Sequence, residues 1–330
     1  MNLWEKEKSQ DFYLVQAFQN NMFIIKNKKI FISISIGLVV LSIISMFVFK
    51  INKRLGIDFT GGALTEITYK DARPAQADLN TAIEALNLGS VLIQPAGEND
   101  YIIKSRDLTE AEHTLLLKTL NQDGKISLEE KSFNSIGPTI GQELKFKALL
   151  LIILISLGII LFIAYAFRKV SKPISSWKYG IIVVVTLLHD VIIPIGIFTV
   201  LAHFYNAEVD ALFVVAVLTI LGLSVSDTIV IFDRIRENIR SQIAHSKIDF
   251  SEIVGKSLEQ SYVRSICTSL TVILVLLSLF FFGPTSTKYF ALMLTAGMFF
   301  GTYSSIFLAS PLLVLVEEIQ AKNKENKKKK

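Results

Sequence analysis

The chain has 330 residues, 51% of them apolar or aromatic and 19% charged, against about 25% charged in an ordinary soluble domain, and its mean hydropathy is +0.49. The apolar residues come in long blocks, which excludes a purely soluble protein. A single cysteine, Cys267, excludes an internal disulfide, no Cys/His spacing suits zinc or haem, and the net charge of +5 sits beside the apolar blocks and in a lysine tail, as membrane topology rather than nucleic-acid binding requires.

In chain order, residues 1–29 read as a cytoplasmic segment and 30–49 as the first transmembrane helix, since a bilayer core needs about 20 apolar residues of helix. That run is longer than the core of a signal peptide and follows Trp4, Phe12 and Phe18, so it is expected to stay as an anchor. Residues 50–147 read as one extracytoplasmic domain. The pattern there predicts strands at 63–70, 91–94, 101–105 and 126–133. It predicts helices at 74–88 and 109–121, the second opened by a capping box of Thr109 and Glu112. The order β-α-β-β-α-β is that of a ferredoxin-like α+β sandwich, whose uncovered face or edge is open to a partner. Gly61 and Gly62 suit a turn with positive φ or close backbone approach rather than a phosphate site. Asp58 stays open between a turn residue and an interface residue.

Five further blocks, 148–167, 179–203, 211–232, 265–283 and 289–316, complete a set of six transmembrane helices, and 317–330 is a basic tail. Lys and Arg gather before the first span and between the second and third (Arg168, Lys169, Lys172, Lys178). They gather again between the fourth and fifth (Arg234, Arg236, Arg240, Lys247, Lys256) and after the sixth. The positive-inside rule therefore puts both termini in the cytoplasm. No GxxxxGK[ST] run occurs, so ATP hydrolysis by this chain is not expected.

Ionisable groups inside a span are costly and are functional candidates by default. His189 and Asp190 lie in the third span and Asp227 in the fourth, roughly 9 Å before the charged run that starts at Asp233. Arg264 opens the fifth span, and Thr268 and Thr271 follow on the same helical stripe. If the fourth and fifth spans pack antiparallel, Asp227, Arg264 and Thr268 come to one level, where a change in their separation would decide whether Asp227 holds a proton. For Asp190 two readings stay open, a proton-coupling group or a structural hydrogen bond with His189. Arg264 is open between that site and reaching toward the interface. Gly222 with Ser226, and Gly297 with Gly301, are the small residues expected to let helices approach.

Four segments resemble the SecD/SecF family of bacterial protein export, within the resistance-nodulation-division (RND) type of proton-driven transporters. They are LGIDFTGG at 55–62, SIGPTIGQEL at 135–144, LHDV at 188–191 and SDTIVIFDRIREN at 226–238. The resemblance runs from about residue 23 to 317 and is to the smaller component of the pair. It implies a six-helix RND-type half with a small outer domain in the bacterial inner membrane, and it is not that of an enzyme. It places Asp227 at the family's proton-carrying aspartate and Arg264 and Thr268 at its partner arginine and threonine. Ser226 stands where the family commonly has Asn, and the stretch 245–249 carries no assigned site. The implied partners are a SecD-like six-span subunit, the SecYEG channel, the unfolded polypeptide in transit and the lipid bilayer. The implied energy source is the proton gradient, with no bound cofactor. Two alternatives remain at this point: a half-transporter for lipids or small hydrophobic compounds, and a scaffold that transduces nothing.

Overall fold

A computed structural model describes residues 21–89, 91–166, 174–205, 207–242 and 249–328. Trp4, Phe12, Phe18, Arg168, Lys169, Lys172, Lys247 and the 245–248 stretch, all used in reading the sequence, lie outside the described residues. The chain divides into two units, one of Ile51–Ile152 with Asn206–Val214 and the other of the remaining segments.

In the first unit, the short helix α3 (Ile57–Thr60) leads into β1 (Gly62–Tyr69), then α4 (Gln76–Glu84), β2 (Leu92–Ala96), β3 (Asp100–Ser105), α5 (Glu110–Leu120) and β4 (Leu128–Ile136). The sheet has the order β2-β3-β1-β4 with every neighbouring pair antiparallel. Its core is built where the apolar positions of strands and helices meet, around Ile67, Ile83, Ile103, Leu116 and Leu120. The buried Tyr69 and Tyr101 satisfy their hydroxyls on the carbonyls of Leu120 (3.1 Å) and Pro74 (2.8 Å), as buried phenols must.

The start of α5 follows from three residues. Thr109 accepts from the Glu112 amide at 3.3 Å, and the Glu112 carboxylate accepts from the Thr109 amide at 2.9 Å. Arg106 pairs with the same carboxylate. The Arg106 hydrogen bond, then those from Thr109, hold Glu112 down to about 2. Its stabilising contribution is therefore complete above the ordinary value of 4.5 and is lost as pH falls toward 2. Thr109→Ala is expected to cost about 1 kcal/mol of domain stability, read by chemical denaturation at neutral pH. The gap between variant and parent should narrow on acidification through that window.

The GIDFTGG segment makes a tight corner. Gly61 has φ 76° and Gly62 φ 132°. A Cβ at Gly61 would lie 2.7 Å from Pro138 Cα, and one at Gly62 would lie 2.7 Å from the Ser105 carbonyl oxygen. Both the dihedral and the space therefore require glycine. The same segment holds residues 207–214, which the apolar blocks alone would leave with the membrane region. Leu55 and Val209 pair as parallel backbone, Lys104 bridges Glu208 at 2.7 Å, and Asp58 accepts from the Ala211 amide at 2.7 Å. Asp58 thus caps the next helix at its positive end. Burial pushes the neighbouring Asp210 carboxyl above its ordinary value, with Asp58 and Glu208 adding to the shift.

Six helices among the described residues are long and apolar enough to cross a membrane. They are α2 (Lys28–Val48), α6 (Pro138–Ala166), α7 (Ser176–Tyr205), α8 (Ala211–Gln242), α9 (Phe250–Phe282), and a sixth made of α10 (Lys288–Ser304), a π-turn (Ser305–Ala309) and α11 (Ser310–Lys328). A short helix, α1 (Asn21–Lys26), precedes them. Several helices outrun the apolar blocks, α6 from Pro138 and α8 to Gln242. Helical hydrogen bonding continues where polar residues such as Gln142 and Arg240 replace apolar ones, and a hydropathy reading ends there. The apolar windows of α7, α8 and the sixth helix are 56%, 44% and 56% buried, against 11%, 6% and 11% for α2, α6 and α9. The first three form the centre. Gly297 and Gly301 make this contact close: a Cβ at Gly297 would lie 2.3 Å from Ile220 Cγ1, and one at Gly301 would lie 3.3 Å from Ser224 Cβ. Gly222 and Ser226, by contrast, are exposed within the chain, and a Cβ at Gly222 would meet nothing within 4 Å.

Candidate functional site

Asp190 is fully buried on α7. Its Oδ1 lies 2.8 Å from His189 Nδ1, and its Oδ2 accepts from Ser304 of the sixth helix at 2.7 Å and from Ser224 of α8. One carboxyl therefore joins three helices. Pro194, four residues on in α7, has no N–H to offer the Asp190 backbone carbonyl, so the helix ladder is opened at the same level. His189 is itself 3% exposed, stacks on Tyr303 at 6.2 Å between ring centroids, and leaves Nε2 without a hydrogen bond among the described residues.

Asp227, on α8, is half-buried and accepts from Ser305 Oγ at 2.9 Å. The buried Ser265 hydroxyl of α9 stands beside the same carboxyl. Among the described residues no cation pairs with Asp227. Next to it, Thr228 is 1% exposed, and its hydroxyl has no hydrogen-bond partner among the described residues. Buried polar groups are nearly always satisfied, so these open positions sit around a polar seam in the middle of an apolar bundle.

Arg264 and Thr268 do share one stripe of α9 with Thr271, and all three are exposed within this chain. The side of α9 turned inward carries Ser257, Ser261, Ser265 and Ser269 instead. The hydroxyls beside Asp227 therefore come from Ser305 and Ser265, and the structure does not bring Arg264 or Thr268 to it within the chain. Spacing tells which residues share a helix face, but not which face meets the neighbouring helix. The serines at Ser224, Ser265, Ser304 and Ser305 escaped the sequence reading. Two signals pointed to three of them: serine at every fourth position of α9 for Ser265, and two consecutive serines inside an apolar span for Ser304 and Ser305.

A family model described as protein export membrane protein SecD/SecF, C-terminal, matches residues 116–319. The chain is 42% identical over 273 residues to the protein translocase subunit SecF of Thermobaculum terrenum, covering 79% of this chain and 84% of that one. It is 33% identical over 297 residues to the protein translocase subunit SecDF of Bacillus subtilis, covering 89% of this chain and 38% of that one. A crystal structure of SecDF, a translocon-associated membrane protein from Thermus thermophilus, superposes with a TM-score of 0.74 at 28% identity. It covers 89% of this chain, which spans 38% of the SecDF chain.

Proposed function

Because the chain belongs to the SecD/SecF family of protein export membrane proteins, and so is an accessory subunit of the Sec translocase, we propose that it uses the proton gradient to promote export, by exchanging a proton at Asp227. The observation that carries this is the setting of Asp227. A carboxyl inside a membrane helix, held by a neutral hydroxyl and unpaired with any cation among the described residues, carries a charge that costs several kcal/mol in lipid surroundings and that one proton removes. Helix movement that changes its surroundings therefore changes its proton occupancy. Asp190, with donors from two other helices and its own neighbour, is the acid that holds the bundle together around this site.

The chain works here as a transport subunit and not as an enzyme. The joined SecD and SecF names of relatives of which it spans 38% support a SecD-like partner. Such a partner completes the twelve-span arrangement and presents groups to the exposed Arg264 and Thr268. SecYEG and the polypeptide in transit are the further partners. The place of work is the bacterial inner membrane, with both termini in the cytoplasm, and no bound cofactor is required.

The test is export into vesicles that hold SecYEG and the SecD-like subunit, with and without this chain, under an imposed proton gradient. The chain is expected to add an increment of export that a protonophore abolishes. An increment that survives the protonophore would leave only a scaffold.

A further inference from the structure

Ser304 and Ser305 are consecutive residues at the point where the sixth helix widens into the π-turn Ser305–Ala309. Each hydroxyl has one proton and two acceptors in reach. Ser305 Oγ lies 2.9 Å from Asp227 Oδ2 and 3.0 Å from the Thr302 carbonyl oxygen. Ser304 Oγ lies 2.7 Å from Asp190 Oδ2 and 3.0 Å from the Gly301 carbonyl oxygen. A hydroxyl can donate to only one of them at a time. Toward an ionised carboxylate it must donate. Toward a protonated carboxyl it can accept the acid's O–H and give its own proton to the helix carbonyl.

We infer that Ser305 is a positioning residue that converts the proton occupancy of Asp227 into the hydrogen-bond register of the sixth helix. This rests on the reading of Asp227 given above and adds the route by which its proton moves a helix. In the ionised state, Ser305 O–H bonds Asp227 Oδ2 and the Thr302 carbonyl is left to the backbone. In the protonated state, the proton on Asp227 Oδ2 bonds Ser305 Oγ, and the Ser305 proton turns to the Thr302 carbonyl, where it competes with the helix ladder. The one covalent change is the O–H bond on Asp227 Oδ2, formed with a proton taken up from the aqueous phase and broken when that proton is released; the Ser305 proton stays on its own oxygen and only changes acceptor.

The π-turn is where such competition can be absorbed. Its wider ring already breaks the i→i+4 ladder, and Ser310 Oγ donates to the Ser305 carbonyl at 3.2 Å, so side-chain hydroxyls already take part in the main-chain bonding of this turn. Elements with two discrete hydrogen-bond arrangements are the ones that amplify a small local change. Among the described residues, the titratable groups around the serine pair are Asp190 and His189 on α7, Tyr303 beside Ser304 and stacked on His189, and Asp227 on α8. On α9, Ser265 stands beside Asp227 while Arg264 lies on the exposed side. The π-turn itself contributes none.

The test uses the complete complex in vesicles and two readouts taken together. The carboxyl stretch of protonated Asp227 is followed by infrared spectroscopy and assigned by its loss in Asp227→Asn. Backbone hydrogen exchange is followed over residues 302–310. In the parent protein, exchange in that segment is expected to change as Asp227 gains its proton. In Ser305→Ala, Asp227 should still titrate while the exchange response disappears and gradient-dependent export falls at least tenfold. Ser305→Thr, which restores the hydroxyl, should recover both. If Asp227 titrates and the 302–310 segment does not respond, or if Ser305→Ala responds like the parent, the inference is overturned and the reading of Asp227 stands. If the Asp227 band never changes, both fall.

Discussion

Asp227→Asn is expected to reduce export under a proton gradient to the level seen with a protonophore, while the complex assembles in normal amount. Asparagine keeps the volume and can still accept from Ser305, at 2.9 Å in the parent, so packing around α8 is preserved. What it removes is the ability to take up and release a proton. One charge crossing a 100 mV potential is worth about 2.3 kcal/mol, a bias of about fiftyfold in a two-state equilibrium, and this sets the largest loss the variant can show per proton. The measurement is export rate against imposed gradient, with assembly checked by co-purification. A variant that keeps its full response to the gradient would show that Asp227 only holds helices together.

The second large effect is structural. Gly297→Val should strongly destabilise the membrane unit, because the new Cβ would lie 2.3 Å from Ile220 Cγ1 and 2.5 Å from its Cδ1. Either the buried Ile220 side chain is forced from its place or the sixth helix moves away from α8. Overpacking of this kind costs about 1–3 kcal/mol or more, and in the second case it also displaces the helix that presents Ser304 and Ser305 to the two acids. Gly222→Ala on α8 is the control, since its Cβ meets no atom within 4 Å and should leave the thermal midpoint of the detergent-solubilised chain nearly unchanged. Combining Gly297→Val with Ile220→Ala should recover part of the loss, because the two positions share one contact and their effects do not add. A Gly297→Val protein as stable as the parent would mean that this contact does not set the helix spacing.

Much of this molecule could be read from its residues because the strongest physical terms are local in the chain. Six apolar blocks mark six helices, since backbone groups in lipid must be satisfied within the segment. Alternation and a capping box mark the strands of the outer unit and the start of α5. Asp227 stood out because a carboxyl in a span is costly wherever its neighbours lie. What depends on the facing of one helix to another was not legible. Spacing puts Arg264 and Thr268 on one stripe of α9, but the Ser261, Ser265 and Ser269 stripe is the one turned inward. The helix ends were missed for a related reason, since Pro138 and Gln142 continue a helix that hydropathy does not see. The attachment of residues 207–214 beside the GIDFTGG corner combines main-chain pairing of Leu55 with Val209 and contacts from Asp58 and Lys104, partners far apart in sequence that no local pattern links.

Cys267 lies three residues after Arg264 and directly before Thr268, and it is exposed. It is also the sole thiol in 330 residues. The protein is therefore ready for single-point chemical labelling with no other sulfhydryl to remove. A fluorophore or spin label attached there would watch, in real time, the helix face on which two of the expected acid-site residues stand.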